Sequence, residues 1–361
     1  MKIVIATGGT GGHIFPALAL ADEFMNSDSN NEIIFVGSNY RMEKDVITKS
    51  RYRFIGLDIL TTSGNLFNKA MAAYSIVRSY LIIKKILKKE KVDVCIGFGN
   101  YISVPVLKAA SDLKIKTLIH EQNSVAGKAN LYLAKIVDEV VGCYDSNLNQ
   151  FENDNIKIYG NPRASAASKY QASEDIYQKY DLDKGKKILT IVMGSLGSDS
   201  VNKVMIKALK EVKIENLQIV YIAGANTKDE FNKELGRVLN VKVFKFINLI
   251  ELLSISDLVI SRAGATTLAE IEALNTPSIL IPSPYVTHNH QYLNAKALKD
   301  KECAEILEEQ DLNSKNLILK IESLLLNEEK LFAMRNNLAK YSKNSASYDI
   351  INDVIKLVNR S

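Results

Sequence analysis

Three cysteines in 361 residues, Cys95, Cys143 and Cys303, stand far apart, and two of them lie in or beside apolar strands. That spacing excludes a disulfide-stapled secreted scaffold and a cysteine metal site, and it fits a reducing cytoplasm. No apolar run approaches the ~20 residues of a membrane span. Ile3–Ala6 passes at once into a glycine loop, so no secretory signal is expected. No low-complexity tract interrupts a composition that is 47% hydrophobic and 24% charged. The GKS/GKT triplet of a nucleoside-triphosphatase loop is missing, and no HExxH motif follows His120 and Glu121. No DxD-type carboxylate cluster is there to hold a metal beside a diphosphate, so neither a bound metal nor a cofactor is expected. Nucleic acid is not an expected partner, because no aromatic-interleaved basic groove appears.

What is present starts at the beginning of the chain. Ile3, Val4, Ile5 and Ala6 form a short apolar run, followed by Gly8, Gly9, Gly11 and Gly12, then His13, Pro16 and an Ala/Leu-rich helical stretch. A β-branched run broken by glycines and followed by a helix opens a βα unit of a parallel sheet, with Pro16 suited to the first helical turn. Main-chain N–H groups at such a helix start favour anionic or electron-rich ligand atoms, with His13 beside them. The alternative is a merely tight βα turn. It is not a dinucleotide fingerprint: GxGxxG from Gly9 needs a glycine where Ile14 stands, and the strand Ile33–Ser38 ends without an acidic residue for an NAD ribose.

The length allows two domains at roughly 100–200 residues each. The βα pattern restarts at Lys187–Val192 with a second glycine loop, Gly194 to Gly197, after a small, polar stretch from Ala164 to Tyr177 that reads as a linker. The expected division is 1–163, 164–343 and a last helical segment, 344–361, crossing back to the first domain. All four histidines, His13, His120, His288 and His290, fall in loops after expected strands, where open α/β sheets bind ligands. His120, Glu121, Gln122 and Asn123 are candidates on that ground. The densest segment is Ser261 to Glu270. There a strand end, Gly264, Thr266 and Thr267 open a helix suited to phosphate, and Glu270 suits a vicinal diol such as ribose. An ordinary N-cap and a solvated glutamate are the plainer alternatives.

Net charge is only +5, but Arg41 to Lys91 holds twelve Lys/Arg against four Asp/Glu, a local excess of eight. The helix expected from Lys69 to Glu90 shows a core face of Ala73, Ile76, Tyr80, Ile83 and Leu87. A second stripe, Met71, Tyr74, Leu81 and Ile82, is flanked by Arg78, Lys84, Lys85, Lys88 and Lys89. It reads as a surface for an anionic bilayer or as a face packed on a neighbouring element.

The ordered motifs TGGTGGHxxPAxA (Thr7 to Ala19), HEQNxxxGxxN (His120 to Asn130), GNPR (Gly160 to Arg163), GSxG (Gly194 to Gly197), SRAGxxTxxE (Ser261 to Glu270) and NHQxxNA (Asn289 to Ala295) span essentially the whole chain. Together they resemble the bacterial N-acetylglucosaminyltransferases of peptidoglycan synthesis, glycosyltransferase family 28. The resemblance implies a GT-B fold, two Rossmann-like α/β domains with parallel sheets facing across a cleft. It implies an inverting transfer of GlcNAc from UDP-GlcNAc to undecaprenyl-diphosphate-linked lipid I, giving lipid II, at the cytoplasmic side of the cell membrane. Anionic inner-leaflet phospholipids and proteins of cell-wall synthesis and division are the further partners it implies.

On the same footing Ser195, Ala265 and Thr266 meet the donor diphosphate, Phe246 or Ile247 the uracil, Glu270 the ribose, and His290 with Gln291 the sugar and diphosphate end. Thr10, Gly11, Gly12, Asn123 and Arg163 also count toward the donor site. Gly11, Gly12, His13 and Asn123 meet the acceptor or its diphosphate. His13 is the expected catalytic base, with Glu121 as alternative base or as partner of His13. Met71, Tyr74, Leu81, Ile82, Lys85 and Lys88 face the membrane. Another GT-B transferase with a different acceptor, or a non-enzymatic binder of sugar nucleotides or anionic membranes, are the competing readings.

Overall fold

The computed structural model describes residues 1–60, 66–194, 199–224 and 227–360. Two compact units emerge, Met1–Ser165 with Asn344–Ser361, and Ala166–Lys343. From the first strand onward the chain forms β1 (Lys2–Ala6), α1 (Gly11–Ser27), β2 (Glu32–Ser38), α2 (Met42–Ile47), β3 (Arg53–Leu57), α3 (Leu66–Glu90), β4 (Val94–Gly97), α4 (Asn100–Asp112), β5 (Lys116–Glu121), α5 (Lys128–Ala134), β6 (Glu139–Gly142), β7 (Ile156–Ile158) and α6 (Pro162–Ser168). The seven strands are parallel in the order β3-β2-β1-β4-β5-β6-β7.

Both faces of this sheet are buried, as a parallel sheet with helical crossovers requires. Ile3 and Ile5 of β1, Ile33 and Phe35 of β2, and Val94 and Ile96 of β4 enter one apolar layer. Their neighbours Val4, Ala6, Ile34, Val36 and Cys95 enter the other. The strands therefore read as unbroken apolar runs rather than as alternation. The first layer is closed by α1 and by α15 (Ala346–Asn359), whose Ile350, Ile351 and Val354 are buried in it. Asp353 of α15 pairs with Lys157 at 2.5 Å and accepts from the Tyr159 hydroxyl, fastening the helix beside β7.

The second unit comprises α7 (Asp175–Lys179), β8 (Lys187–Val192), α8 (Asp199–Glu211), β9 (Leu217–Ile222), α9 (Asp229–Leu235), β10 (Val241–Phe244), α10 (Leu249–Leu253), β11 (Leu258–Ser261), α11 (Ala265–Ala273), β12 (Ser278–Leu280), α12 (His290–Lys299), β13 (Ala304–Ile306), α13 (Ser314–Leu325) and α14 (Glu328–Tyr341). Its six parallel strands run in the order β10-β9-β8-β11-β12-β13. In each sheet the order reverses beside the strand that opens it, between β1 and β4 and between β8 and β11. Chains leaving such a pair diverge to opposite faces and open a crevice at the strands' C-terminal ends. Each glycine loop starts from such a switch point.

Several local expectations change. Helix α1 begins at Gly11, so Pro16 lies in its second turn and gives no hydrogen bond to the Gly12 carbonyl. A strand, β3, occupies part of the basic stretch, because Phe54, Ile55 and Leu57 are apolar enough to pair at the sheet edge. The stretch read as a linker is partly helical, with Ala164 and Ala167 buried. On α3 the buried line is Ala72, Ser75, Ser79, Ile83 and Leu87, and Ala73 is exposed. Ser75 is tolerated there because its hydroxyl donates to the Ala72 carbonyl and accepts the Leu60 N–H. The turn expected at Ser63-Gly64-Asn65 lies outside the described residues.

If α15 is part of the first unit's core, Ile350→Ala should cost about 2–5 kcal/mol of stability, the range for a fully buried large-to-small change. Denaturant unfolding of the variant measures it, and a loss below about 0.5 kcal/mol would mark α15 as peripheral.

Candidate active site

The first unit gathers its polar side chains on the C-terminal edge of its sheet. After β1 the chain turns at Gly9, whose φ of +93° only glycine adopts without strain. The loop is held on both sides. The Gly9 N–H donates to Glu43 Oε2 at 3.0 Å, and Asn100 Nδ2 donates to the Gly8 carbonyl at 3.0 Å. Thr10 is the N-cap residue of α1 but makes no capping bond; its hydroxyl stands 3.4 Å from His13 Nδ1. Gly11, Gly12 and His13 form the first helical turn, with main-chain bonds from the His13 and Ile14 N–H groups to the Thr10 carbonyl. The half-buried His13 ring lies over the β4–α4 turn, where a side-chain carbon at Gly99 would meet its Nε2 at 3.5 Å.

Beside it, β5 ends in a closed network. His120 lies fully buried within β5, and His13 and His290 stand in the first turns of α1 and α12, which corrects the expectation that every histidine lies in a loop. The His120 Nε2 donates to the Gly160 carbonyl at 2.9 Å, and its Nδ1 accepts from Gln122 at 3.1 Å. Burial pushes its pKa down to about 4, against the Gly160 bond that favours the charged ring and with repulsion from His13 added. Glu121 is equally committed. One oxygen accepts the Asn123 N–H and side-chain amide, and the other accepts the Gly127 N–H and Asn130 Nδ2, at 2.8–3.3 Å. Burial raises its pKa, and these four bonds counter that. The carboxylate shapes the loop from Gln122 to Gly127 and so sets the place of Asn123. Arg163, at the start of α6, holds its guanidinium over the Phe15 ring at 5.9 Å.

The second unit has its own cluster on the corresponding edge. Gly264 is the N-cap of α11, and Ala265, Thr266 and Thr267 make the first turn, which carries no acidic residue. Glu270, one turn on from Thr266, is 5% exposed. A side-chain carbon at Gly264 or at Gly194, whose φ is +82°, would meet nothing within 4 Å, so open space adjoins both switch-point loops. Arg262 of the same motif turns the other way, onto Glu309 at 2.8 Å and the Ile281 carbonyl at 3.1 Å, and so holds β11 to the chain after β12. Asn294 Nδ2 donates to the Ala263 carbonyl at 3.2 Å, tying α12 to the turn before α11. Gln291 accepts the Ser283 N–H at 2.9 Å, and His290 Nδ1 donates to the Thr287 carbonyl at 2.9 Å. Phe246 and Ile247 follow β10 on the same edge, Phe246 being 66% exposed. Ser195 and the rest of the GSxG loop after Gly194 lie outside the described residues.

The expected site residues thus fall into two groups, each within one unit. Thr10, Gly11, Gly12, His13, Asn123 and Arg163 belong to the first, and Phe246, Ile247, Ala265, Thr266, Glu270, His290 and Gln291 to the second. On α3, Met71, Tyr74, Leu81 and Ile82 are 41–65% exposed, and Lys85 and Lys88 are exposed beside them. Sequence reasoning missed three residues that hold the loops, Glu43, Asn100 and Asn130. Glu43 and Asn100 lie outside the recognised motifs and have no periodic signal. Asn130 closes the HEQNxxxGxxN motif, which was the available hint.

Comparison with known proteins covers both units. Residues 3–141 match the model of the glycosyltransferase family 28 N-terminal domain, and residues 188–354 that of its C-terminal domain. A Listeria welshimeri protein named UDP-N-acetylglucosamine–N-acetylmuramyl-(pentapeptide) pyrophosphoryl-undecaprenol N-acetylglucosamine transferase is 36% identical over 99% of this chain and 100% of its own length. A Halalkalibacterium halodurans protein of the same name is 38% identical over 93% of each chain. The crystal structure of Acinetobacter baumannii MurG superposes with a TM-score of 0.79 at 25% identity, covering 98% of this chain and 99% of that one.

The His120 geometry has a pH consequence. Its folded pKa of about 4 lies below the ordinary 6.5. Between those values the unfolded chain binds the extra proton, so this group's contribution to stability is complete above 6.5 and is lost as pH falls toward 4. Nitrogen NMR should show one neutral tautomer, protonated at Nε2, from pH 8 to about 5. A titration midpoint near the ordinary histidine value would contradict the buried network.

Proposed function

This chain belongs to glycosyltransferase family 28, and from that premise we propose that it transfers N-acetylglucosamine from UDP-GlcNAc to the 4-hydroxyl of the N-acetylmuramyl-pentapeptide carried on undecaprenyl diphosphate. Lipid I becomes lipid II, and UDP leaves. The observation that carries this reading is the full-length identity to relatives named for that transfer. Two parallel-sheet Rossmann-like units, the ingredients of a GT-B enzyme, support it.

The donor is α-linked and the product β-1,4, so a single displacement at the anomeric carbon inverts its configuration. The acceptor hydroxyl must lose a proton as it attacks. His13 is the base in this reading: with Nδ1 facing the Thr10 hydroxyl, Nε2 is the ring nitrogen that takes up that proton. Glu121 holds Asn123 and the loop after β5 rather than serving as the alternative base, since each of its oxygens already accepts two donors. Gly11, Gly12, Asn123 and Arg163 then serve the acceptor and the diphosphates.

The first unit takes the acceptor and the second the nucleotide. The start of α11, with Thr266, offers N–H groups and a helix dipole where charge develops on the leaving diphosphate, and Ser195 joins it. Glu270 accepts the ribose hydroxyls, Phe246 and Ile247 border the uracil, and His290 with Gln291 meets the sugar end. In this reading helix-end dipoles and main-chain N–H groups, rather than a metal ion held by the protein, stabilise the charge on the leaving diphosphate.

The enzyme works from the cytoplasmic face of the membrane as a peripheral protein. Among the described residues no helix is long and apolar enough to cross a bilayer. The exposed stripe of α3 flanked by lysines suits an anionic leaflet.

His13→Ala should leave UDP binding near normal, by calorimetry, and slow transfer by ~10²-fold or more, the scale of general-base loss. A variant turning over near the wild-type rate would remove His13 from the role. Changing Leu81 and Ile82 together to serine should weaken sedimentation with phosphatidylglycerol vesicles while leaving UDP affinity alone; unchanged partition would show that α3 does not meet the bilayer.

A further inference from the structure

Glu43 is a fully buried carboxylate that the transfer chemistry does not use. It stands in α2, and its oxygens accept two main-chain N–H groups, Ser38 at 2.9 Å and Gly9 at 3.0 Å. The surrounding backbone is cleared for it. A side-chain carbon at Gly8 would meet Glu43 Oε1 at 2.4 Å, and one at Gly37 would meet its Cγ at 2.6 Å. Two glycines therefore stand where this side chain needs room. Asn100, at φ +67°, grips the same loop from the other side through the Gly8 carbonyl.

We propose that Glu43 is a positioning residue for the transfer, fixing the Gly8–Thr10 loop and, through it, the imidazole of His13. The chain of contacts is short. Glu43 fixes the Gly9 N–H; the next residue, Thr10, supplies both the carbonyl that starts α1 and the hydroxyl beside His13 Nδ1. A rotation of the Gly9 peptide would move all three. The same bond also occupies the Gly9 N–H, so an acceptor diphosphate would meet the start of α1 and not this N–H.

The proposal rests on the reading of His13 as base, and the experiment separates the two. Glu43→Gln keeps size and shape but sets an amide NH2 against one of the two N–H donors, leaving a buried donor unpaired. It should lower kcat by about 10-fold or more, since small misplacements of a reacting group carry such costs. The KM for UDP-GlcNAc and the affinity for UDP should stay within about twofold, because the second unit holds the nucleotide. In a His13→Ala background the same change should cost nothing further, because the group it positions is gone.

Asn100→Gly is the second probe, and the one that decides if Glu43→Gln does not fold. Glycine accepts the positive φ, so the change removes the Gly8 bond without backbone strain, and it should reproduce the kcat–KM split. Folded variants with wild-type kcat, or an equal fractional loss with and without His13, would overturn the positioning role. If His13→Ala itself transfers at the wild-type rate, the base reading falls and the proposal with it. If His13→Ala is slow while Glu43→Gln and Asn100→Gly are normal, the positioning role alone is overturned.

Discussion

Parallel strand pairing is the constraint on which the rest depends. It ends every strand of a sheet on the same edge, and it forces each crossover to return the chain to the other end. Where the crossovers part to opposite faces, beside β1 and beside β8, main-chain N–H groups and side chains gather around a gap that no crossover fills. The two glycine loops, the start of α11 and the turn after β4 are all consequences of that geometry. Helix α15 belongs to the same logic, since one face of the first sheet is closed only when Ile350, Ile351 and Val354 pack beneath it.

The loops on the first edge are fixed by buried carboxylates acting as hydrogen-bond acceptors. Glu43 ties down the loop after β1, and Glu121 the loop after β5. A buried carboxylate is costly unless its lone pairs are satisfied, and main-chain N–H groups of a tight loop are suitable donors. Each carboxylate thereby converts a flexible glycine-containing segment into one conformation. Histidine 120 does similar work with a neutral ring, bridging Gln122 of its own loop to the Gly160 carbonyl. The proposed base, His13, sits among these fixed groups.

The strands were legible because burial on both faces leaves long apolar runs, as in Ile3–Ala6 and Leu258–Ser261. The glycine loops were legible because few other sequences leave a strand and enter a helix that way. Edge strand β3 was harder to see, since its five residues carry an arginine and a glycine between apolar side chains. The serines facing the core of α3 hid its true buried line from a hydrophobic pattern, because a serine whose hydroxyl bonds within its own helix behaves as a small core residue. Polar residues at strand ends were found readily, but their jobs were not. His120 and Glu121 look alike in sequence to groups that meet a ligand, and only the partner atoms reveal that they brace loops. Glu43 shows the converse, a working carboxylate inside a stretch that reads as a solvated basic surface.

The proposed reaction is a single inverting displacement between UDP-GlcNAc and a lipid-linked muramyl acceptor. The most direct measurement is the anomeric configuration of the disaccharide formed by the purified protein, read by proton NMR alongside the UDP released. A β-1,4 linkage with one UDP per disaccharide is the predicted result. An α linkage, or UDP release with free GlcNAc and no disaccharide, would contradict it.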